Sequence, residues 1–534
     1  MNKFRLIKEP ILFGILIFYS AAITIYTGNR GLFPIDTFTF FDSGYNITIG
    51  KHPIKDFWII SGIVGDYLQG AFFKIFGFNW TAYLLHSSLL NIFITVLFFV
   101  FLRNFEKNNI ENLIFALSMA TLCYPVVGTP FTYLHSYIFS LSSVIIFCAA
   151  ILQQRLIYFF LLPFFMFLSF LSMQLPSSLI NLLIISFLFL NYYFCDKDKK
   201  KLINFFSGFI ICSFIFIFYL FYFEISVKSF IEQYILFPLS LGFERVLAEP
   251  DAFTDAKLIN KLNFKNLFLD FKFIHFFFIP YLYLIIKEFI IDKDFIKTLS
   301  NYKIDIIVIF SVLIFIFHQL ITANQIFIFS IIPFISFFLY HRVKQKYLGQ
   351  SILKYLIILV LIFSTLKFHF RFNEDRKFME LQGVDFEKSI KASQLDKRFG
   401  NLKWITAKFG DNPQEEINLL IQSKDLISKE NYPKMVITHY QFFSLIINDD
   451  LNIPNRWYFP NNTFPASRKN KFYDNYKEFL KEKIKNKKIK TLFIVMQTPE
   501  SWANIYSDYF INGCKNYEFL NKITIKIDIT NCKI

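Results

Sequence analysis

Four aspartates, Asp36, Asp42, Asp56 and Asp66, fall within one stretch that follows the first apolar segment of this 534-residue chain. Their neighbours before and after are overwhelmingly Phe, Ile and Leu. Carboxylates beside a membrane are costly to keep and mark a site more often than not, because they do acid–base work or hold cations. If the stretch lies outside the cytoplasm, it points to a membrane enzyme rather than a passive bundle.

The elements that must position these acids are apolar blocks. The sequence is 54% hydrophobic with 76 Phe, and its mean hydropathy is +0.43. The blocks run to roughly 17–22 residues, the length that crosses about 30 Å of hydrocarbon as helix. Eleven spans are predicted, near 10–27, 81–102, 111–128, 132–152, 157–174, 178–195, 203–222, 271–290, 304–321, 325–341 and 351–367. The fold class expected is an α-helical polytopic membrane protein with a C-terminal extracytoplasmic α/β domain. The first block follows Lys3, Arg5 and Lys8 without a small-residue cleavage site, so it reads as an uncleaved signal-anchor.

The net charge of +16 does not indicate nucleic acid, because many of its lysines sit in short loops between blocks. Alternation puts the N-terminus, Arg103 and Lys107, Arg155, Lys197–Lys201, Lys287–Lys303 and Arg342–Lys346 on one side. The turns at Thr129-Pro130, Leu175-Pro176-Ser177 and Thr322-Ala323-Asn324 carry no basic residue and fall on the other. Basic loops are cytoplasmic. Three longer segments are then extracytoplasmic: residues 28–80, residues 224–270, and a tail from 369 to 534. The expected division is a membrane domain over 1–368 and a soluble domain over 369–534. The Pro-centred turn at Met173–Ser178 also admits a re-entrant hairpin over residues 157–195. In the tail, apolar runs at Trp404–Phe409, Met435–Thr438, Thr491–Met496 and Ile523–Ile527 predict strands, and Gln414–Ile427 and Lys477–Lys485 predict helices. Cys514 and Cys532 could pair there, whereas Cys123, Cys148, Cys195 and Cys212 read as packing residues.

After Gly65, residues Leu68, Phe72, Ile75 and Phe76 share one face at helical spacing. That predicts a helix lying in the interface, begun by Asp66 as an N-terminal acid and ended by Gly77. Asp56, within Lys55-Asp56-Phe57-Trp58, reads first as a residue that fixes the shape of the loop.

The order of these residues carries a resemblance. Asp42-Ser43-Gly44-Tyr45, then Gly50-Lys51-His52-Pro53-Ile54-Lys55-Asp56-Phe57, then Gly62, then Tyr67-Leu68 through Phe76-Gly77 is similar to the first luminal loop of the GT-C glycosyltransferase superfamily. These are the polyprenyl-phosphate-sugar-dependent membrane transferases related to protein mannosyltransferases and aminoarabinose transferases. The match covers about 40 residues, with agreement in architecture but not in motif elsewhere. The resemblance implies transfer of a sugar from a polyprenyl-phosphate donor to an extracytoplasmic acceptor: a lipid-linked glycan, a lipopolysaccharide part or a protein. It implies an early acid as general base, Asp42 by motif position and Asp36 as the other candidate. Many members have two adjacent acids, where this chain has Ser43 after Asp42.

The binding set expected with them is Arg245, for a lipid phosphate, with Asp56, His135 and Tyr45. Lys51 and Lys228 are weaker cation candidates, and His318-Gln319 a second polar site near a span end. No cofactor is assigned, no His/Cys/Asp cluster has zinc spacing, and a divalent metal is compatible with the pattern. The aromatic clusters Tyr440-Gln441-Phe442-Phe443 and Asn455-Arg456-Trp457-Tyr458-Phe459-Pro460 could contact a glycan or pack the tail. The rivals are an O-antigen ligase or polymerase, and a lipid-glycan transporter or flippase. The location expected is a bacterial inner membrane with the N-terminus cytoplasmic and the tail periplasmic. A reporter fused after residue 370 should be active only outside the cytoplasm; activity inside would invert the topology.

Overall fold

The computed structural model describes residues 9–247, 262–291, 295–322, 328–346, 351–510 and 517–532. Helices stand on all eleven predicted spans, from Glu9–Gly28 to Ser351–Phe368. Among the described residues eight are long and apolar enough to cross a membrane, and the chain is an integral membrane protein. Three are shorter than expected: Asn109–Leu122, Leu156–Ser172 and Ile331–Lys346. At 1.5 Å per residue the 14 residues of the first rise about 21 Å, short of a full crossing. Local chemistry sets several starts: Asn79 accepts from the Ala82 amide at 2.9 Å, and Asp198 from that of Lys200 at 2.9 Å. Thr132–Gln153 runs through the centre, buried from Thr132 to Ile151. Leu156–Ser172 and Gln174–Leu190 are two packed helices joined at Met173.

The two sets of loops separate as the charge alternation predicts. The basic end is laced by ion pairs of Arg103 with Glu9, Lys344 with Glu106, Arg342 with Asp305 and Lys346 with Glu288. At the other end the loop of residues 28–80, the turns at Phe131, Leu175 and Thr322, and the tail come together. The segment predicted as a second long loop is partly helical, running in helical turns from Val227 to Leu247.

The tail carries two short strands, β1 (Ile390–Lys391) and β2 (Lys403–Trp404), and a sheet of four. These are β3 (Lys434–Thr438), β4 (Thr491–Val495), β5 (Tyr517–Asn521) and β6 (Thr524–Asp528), in the order β3-β4-β6-β5. β3 and β4 are parallel and buried along their whole lengths, β3 at the edge of the sheet and β4 inside it. Helices Pro413–Lys429 and Tyr473–Lys487 bracket the two predicted stretches. The strand expected over Trp404–Phe409 ends at Trp404, because its backbone turns to pair with the first loop instead. Lys403 N–H donates to Asn29 and Leu32 N–H to Ile405, at 2.9 and 3.1 Å. Cys532 is disulfide-bonded; its expected partner Cys514 lies outside the described residues.

The apolar core does not divide at residue 369. Leu32, Phe38, Phe41 and Trp80 pack in one cluster with Phe399, Trp404, Phe442 and Val495. Phe38 meets Phe442 edge-on at 4.9 Å, and Phe41 stacks on Phe399 at 5.8 Å. Loop and tail are therefore halves of one core, and residues 369–534 expressed alone should aggregate or bind hydrophobic dye. A soluble, cooperatively unfolding fragment would contradict this.

Candidate active site

The first loop folds as two short helices, Pro34–Thr37 and Phe41–Thr48, followed by Ile63–Phe76. A helix stands where one was expected, Ile63–Phe76, with Ile75 and Phe76 exposed and Gly77 at its end, N–H donating to the Phe73 carbonyl at 2.9 Å. Its acid does more than favour the helix dipole. Asp66 is fully buried, ion-paired with the buried Arg456 at 3.1 Å, and accepts from the Ser43 hydroxyl at 2.6 Å. Burial pushes the Asp66 carboxyl up to about 6, against the pull of Arg456 and Ser43. Ser43 thus stands where a second acid was sought and serves as a donor to Asp66. Arg456 also reaches the Ser61 hydroxyl at 3.4 Å and lies over the Phe40 ring at 4.8 Å. Gly62 makes room for it: its φ is +84°, and a Cβ there would come within 2.2 Å of Nη1.

Asp42 is also fully buried. Its two oxygens accept from the Ser444 and Leu445 amides at 3.2 and 3.1 Å, at the start of the short helix Phe443–Ile447. Burial raises its carboxyl to about 7, and those amides oppose the rise. Tyr45 donates to Asn448 at 3.2 Å, and Lys51 pairs with Asp450. Trp58 N–H donates to Pro454 at 2.7 Å. Asp56 accepts from the His52 amide at 2.8 Å and closes its own turn. None of Asp42, Tyr45 or Asp56 is among the described residues that line the cavity beside Asp36; Asp42, Tyr45, Lys51 and Trp58 stitch the first loop to residues 441–454, and Asp56 fixes the shape of the loop's own turn.

Asp36 is placed differently. It sits on the wall of a cavity of about 500 Å³ between the first loop, the membrane helices and the tail. Phe131, Tyr133, Phe170, Phe378, Trp457 and Phe459 supply its aromatic walls, and Ser61, Gln174, Ser178, Thr322, Asn462 and Thr463 its polar ones. Asp36 is the one carboxylate among its described lining residues. Burial pushes that carboxyl up to about 7, Glu380 adds to the rise, and Trp457 opposes both. Gln174 ties the floor together, donating to the Ile60 carbonyl at 2.7 Å.

His135 lies behind this wall. It is fully buried, shares a hydrogen bond with Tyr124 at 2.9 Å and stacks on His86 at 4.9 Å. It does not line the cavity, because Phe40 and Tyr124 enclose it. Lys228 is exposed beside Glu232. Arg245 belongs to the helix Phe237–Leu247, and its side chain lies outside the described residues. His318 packs against Tyr133, which lines the cavity. Of the two aromatic clusters, Tyr440–Phe443 is core, while Trp457 and Phe459 face the cavity. Gln174, Asn462 and Thr463 are lining residues that nothing in their local sequence distinguishes from ordinary turn and helix-end polars.

Among the described residues no three His, Cys, Asp or Glu converge. A hard divalent ion takes six to eight oxygens, largely from carboxylates and carbonyls, so one carboxylate on the wall does not make a protein cage for it. No step is assigned to a metal.

Asp66→Asn should cost about 3–5 kcal/mol of stability by leaving Arg456 buried and unpaired. Asp66→Asn combined with Arg456→Met should recover much of that loss in thermal unfolding of the detergent-solubilised protein. Equal melting of Asp66→Asn and wild type would contradict the pairing.

No family model matches this chain, and no curated protein matches it. Among solved structures it is similar to the Archaeoglobus fulgidus oligosaccharyltransferase in complex with zinc and sulfate. That likeness has 12% identity and a TM-score of 0.47, over 92% of this chain and 69% of the other. It is also similar to the archaeal oligosaccharyltransferase AglB from Archaeoglobus fulgidus, in complex with an inhibitory peptide and a dolichol-phosphate. There the identity is 10% and the TM-score 0.47, over 93% and 70% of the two chains. At that identity and score, neither likeness carries a residue role or an activity to this chain.

Proposed function

We propose that this chain is a membrane glycosyltransferase of GT-C type, moving a sugar from a polyprenyl-phosphate-linked donor to an acceptor outside the cytoplasm. The loop pattern from Asp42 to Gly77 supports the class. The observation that carries the reading is Asp36: one carboxyl, raised to about 7, on the wall of an aromatic and amide-lined cavity where membrane helices meet the tail. A general base works best with a pKa near the operating pH. Ionised Asp36 takes the proton of the acceptor hydroxyl as that oxygen attacks the anomeric carbon. The bond from that carbon to the lipid phosphate breaks, its electron pair leaves with the phosphate, and the configuration inverts. Asp42 is then a strut rather than the base. The disulfide at Cys532 supports an oxidising, extracytoplasmic location for the tail. The acceptor classes are a lipid-linked glycan, a lipopolysaccharide part and a protein.

The base must be deprotonated, so transfer should fall about tenfold per pH unit as pH drops below about 7, the value to which Asp36 is raised. Asp36→Asn should lower turnover by about 10²–10⁴-fold and abolish that acid limb. Both are read as incorporation of labelled sugar in membranes of cells lacking the wild-type gene. Full activity of Asp36→Asn would sink the assignment.

A further inference from the structure

Trp457 lines the cavity beside Asp36, at the end of the seam that joins loop to tail. Its orientation is fixed from two sides. Phe131 and Tyr133 stand nearly perpendicular to it, at 5.8 Å and 79°, and 6.2 Å and 82°. Behind it the preceding residue, Arg456, is locked by Asp66 and Ser61. A tryptophan held this firmly would ordinarily satisfy its one polar group. Here the indole N–H is buried and has no partner within hydrogen-bond geometry. Asp36 lines the same cavity, and the Trp457 donor pulls its carboxyl down against the rise from burial, so the N–H stands near that carboxyl without an ordinary hydrogen bond to it. A buried donor without a partner is unfavourable, and catalytic hydrogen bonds are often long until substrate is bound.

We propose that Trp457 positions the Asp36 carboxylate, its indole N–H closing onto a carboxylate oxygen when a sugar fills the cavity and its ring forming one wall of the sugar subsite. This rests on the reading of Asp36 as the base. Closing the bond leaves the second oxygen of Asp36 to take the acceptor proton. Glu380 from the tail turn acts on Asp36; Tyr133 from helix Thr132–Gln153 lines the same cavity, and the Asp66–Arg456 pair adjoins Trp457 in the chain. Glu380 opposes ionisation of Asp36, and the indole N–H, as a donor to the charged form, favours it.

The test titrates Asp36 without needing the natural substrate. The full chain in detergent is labelled with a water-soluble carbodiimide and glycine ethyl ester across a pH series, and the Asp36 peptide is quantified by mass spectrometry. Losing the donor disfavours the carboxylate, so Trp457→Phe should move the labelling midpoint up by roughly one pH unit. Trp502→Phe, in the tail core and not among the cavity's described lining residues, should leave it unchanged. If Trp457→Phe does not fold, β-(3-benzothienyl)alanine at position 457 keeps the ring shape without the N–H, and the same upward shift is expected. A midpoint equal to wild type in either form overturns the role of Trp457. If Asp36→Asn is inactive at the same time, the base assignment stands, so the two failures are distinguishable.

Discussion

A guanidinium buried at Arg456 finds its carboxylate at Asp66, 390 residues earlier in the chain. Two charges removed from water gain little net stability from one another, but either alone is strongly unfavourable. The first loop and the tail are therefore obliged to fold together. Around that pair the other contacts fall in order: Asp42 on the Ser444 and Leu445 amides, Tyr45 on Asn448, Lys51 on Asp450, Trp58 on Pro454. The seam delivers Trp457 to the cavity wall and, through Ser61, holds the loop that forms part of the same wall.

Three carboxyls in the loop are raised by burial, and the shift alone does not separate them. Asp42 and Asp66 spend their oxygens on partners within the protein. Asp36 is raised just as far, with an acidic neighbour at Glu380 and access to open space. Access, rather than acidity or motif position, distinguishes a group that can meet a hydroxyl from one that holds two segments together.

Much of this architecture is legible in the sequence because its causes are local. Apolar block length marks the spans, basic loops mark one end, and short apolar runs in the tail find β3, β4 and β6. The helix Ile63–Phe76 follows from Leu68, Phe72, Ile75 and Phe76 on one face. What escapes is long-range. No local signal links Asp42 to an amide pair some 400 residues on, and its motif position, read alone, favours it over Asp36. The departure at Ser43 makes sense only once Asp66 is seen to need a donor. Trp457 stands out in the sequence as part of an aromatic cluster, but its partner across the cavity depends on the Arg456 pair. The Trp404–Phe409 run is apolar like a strand and is diverted by residues 29–32, to which a one-dimensional pattern is blind.

The most direct measurement compares Asp36→Asn with Asp42→Asn as transfer rate per folded molecule, with folded protein quantified by monodisperse recovery in detergent. Asp36→Asn should be recovered at wild-type yield and be nearly inactive. Asp42→Asn should lose yield and thermal stability while each folded molecule retains most of its activity. The reverse pattern, with Asp42→Asn folded and dead and Asp36→Asn active, would contradict the assignment of Asp36 as the base.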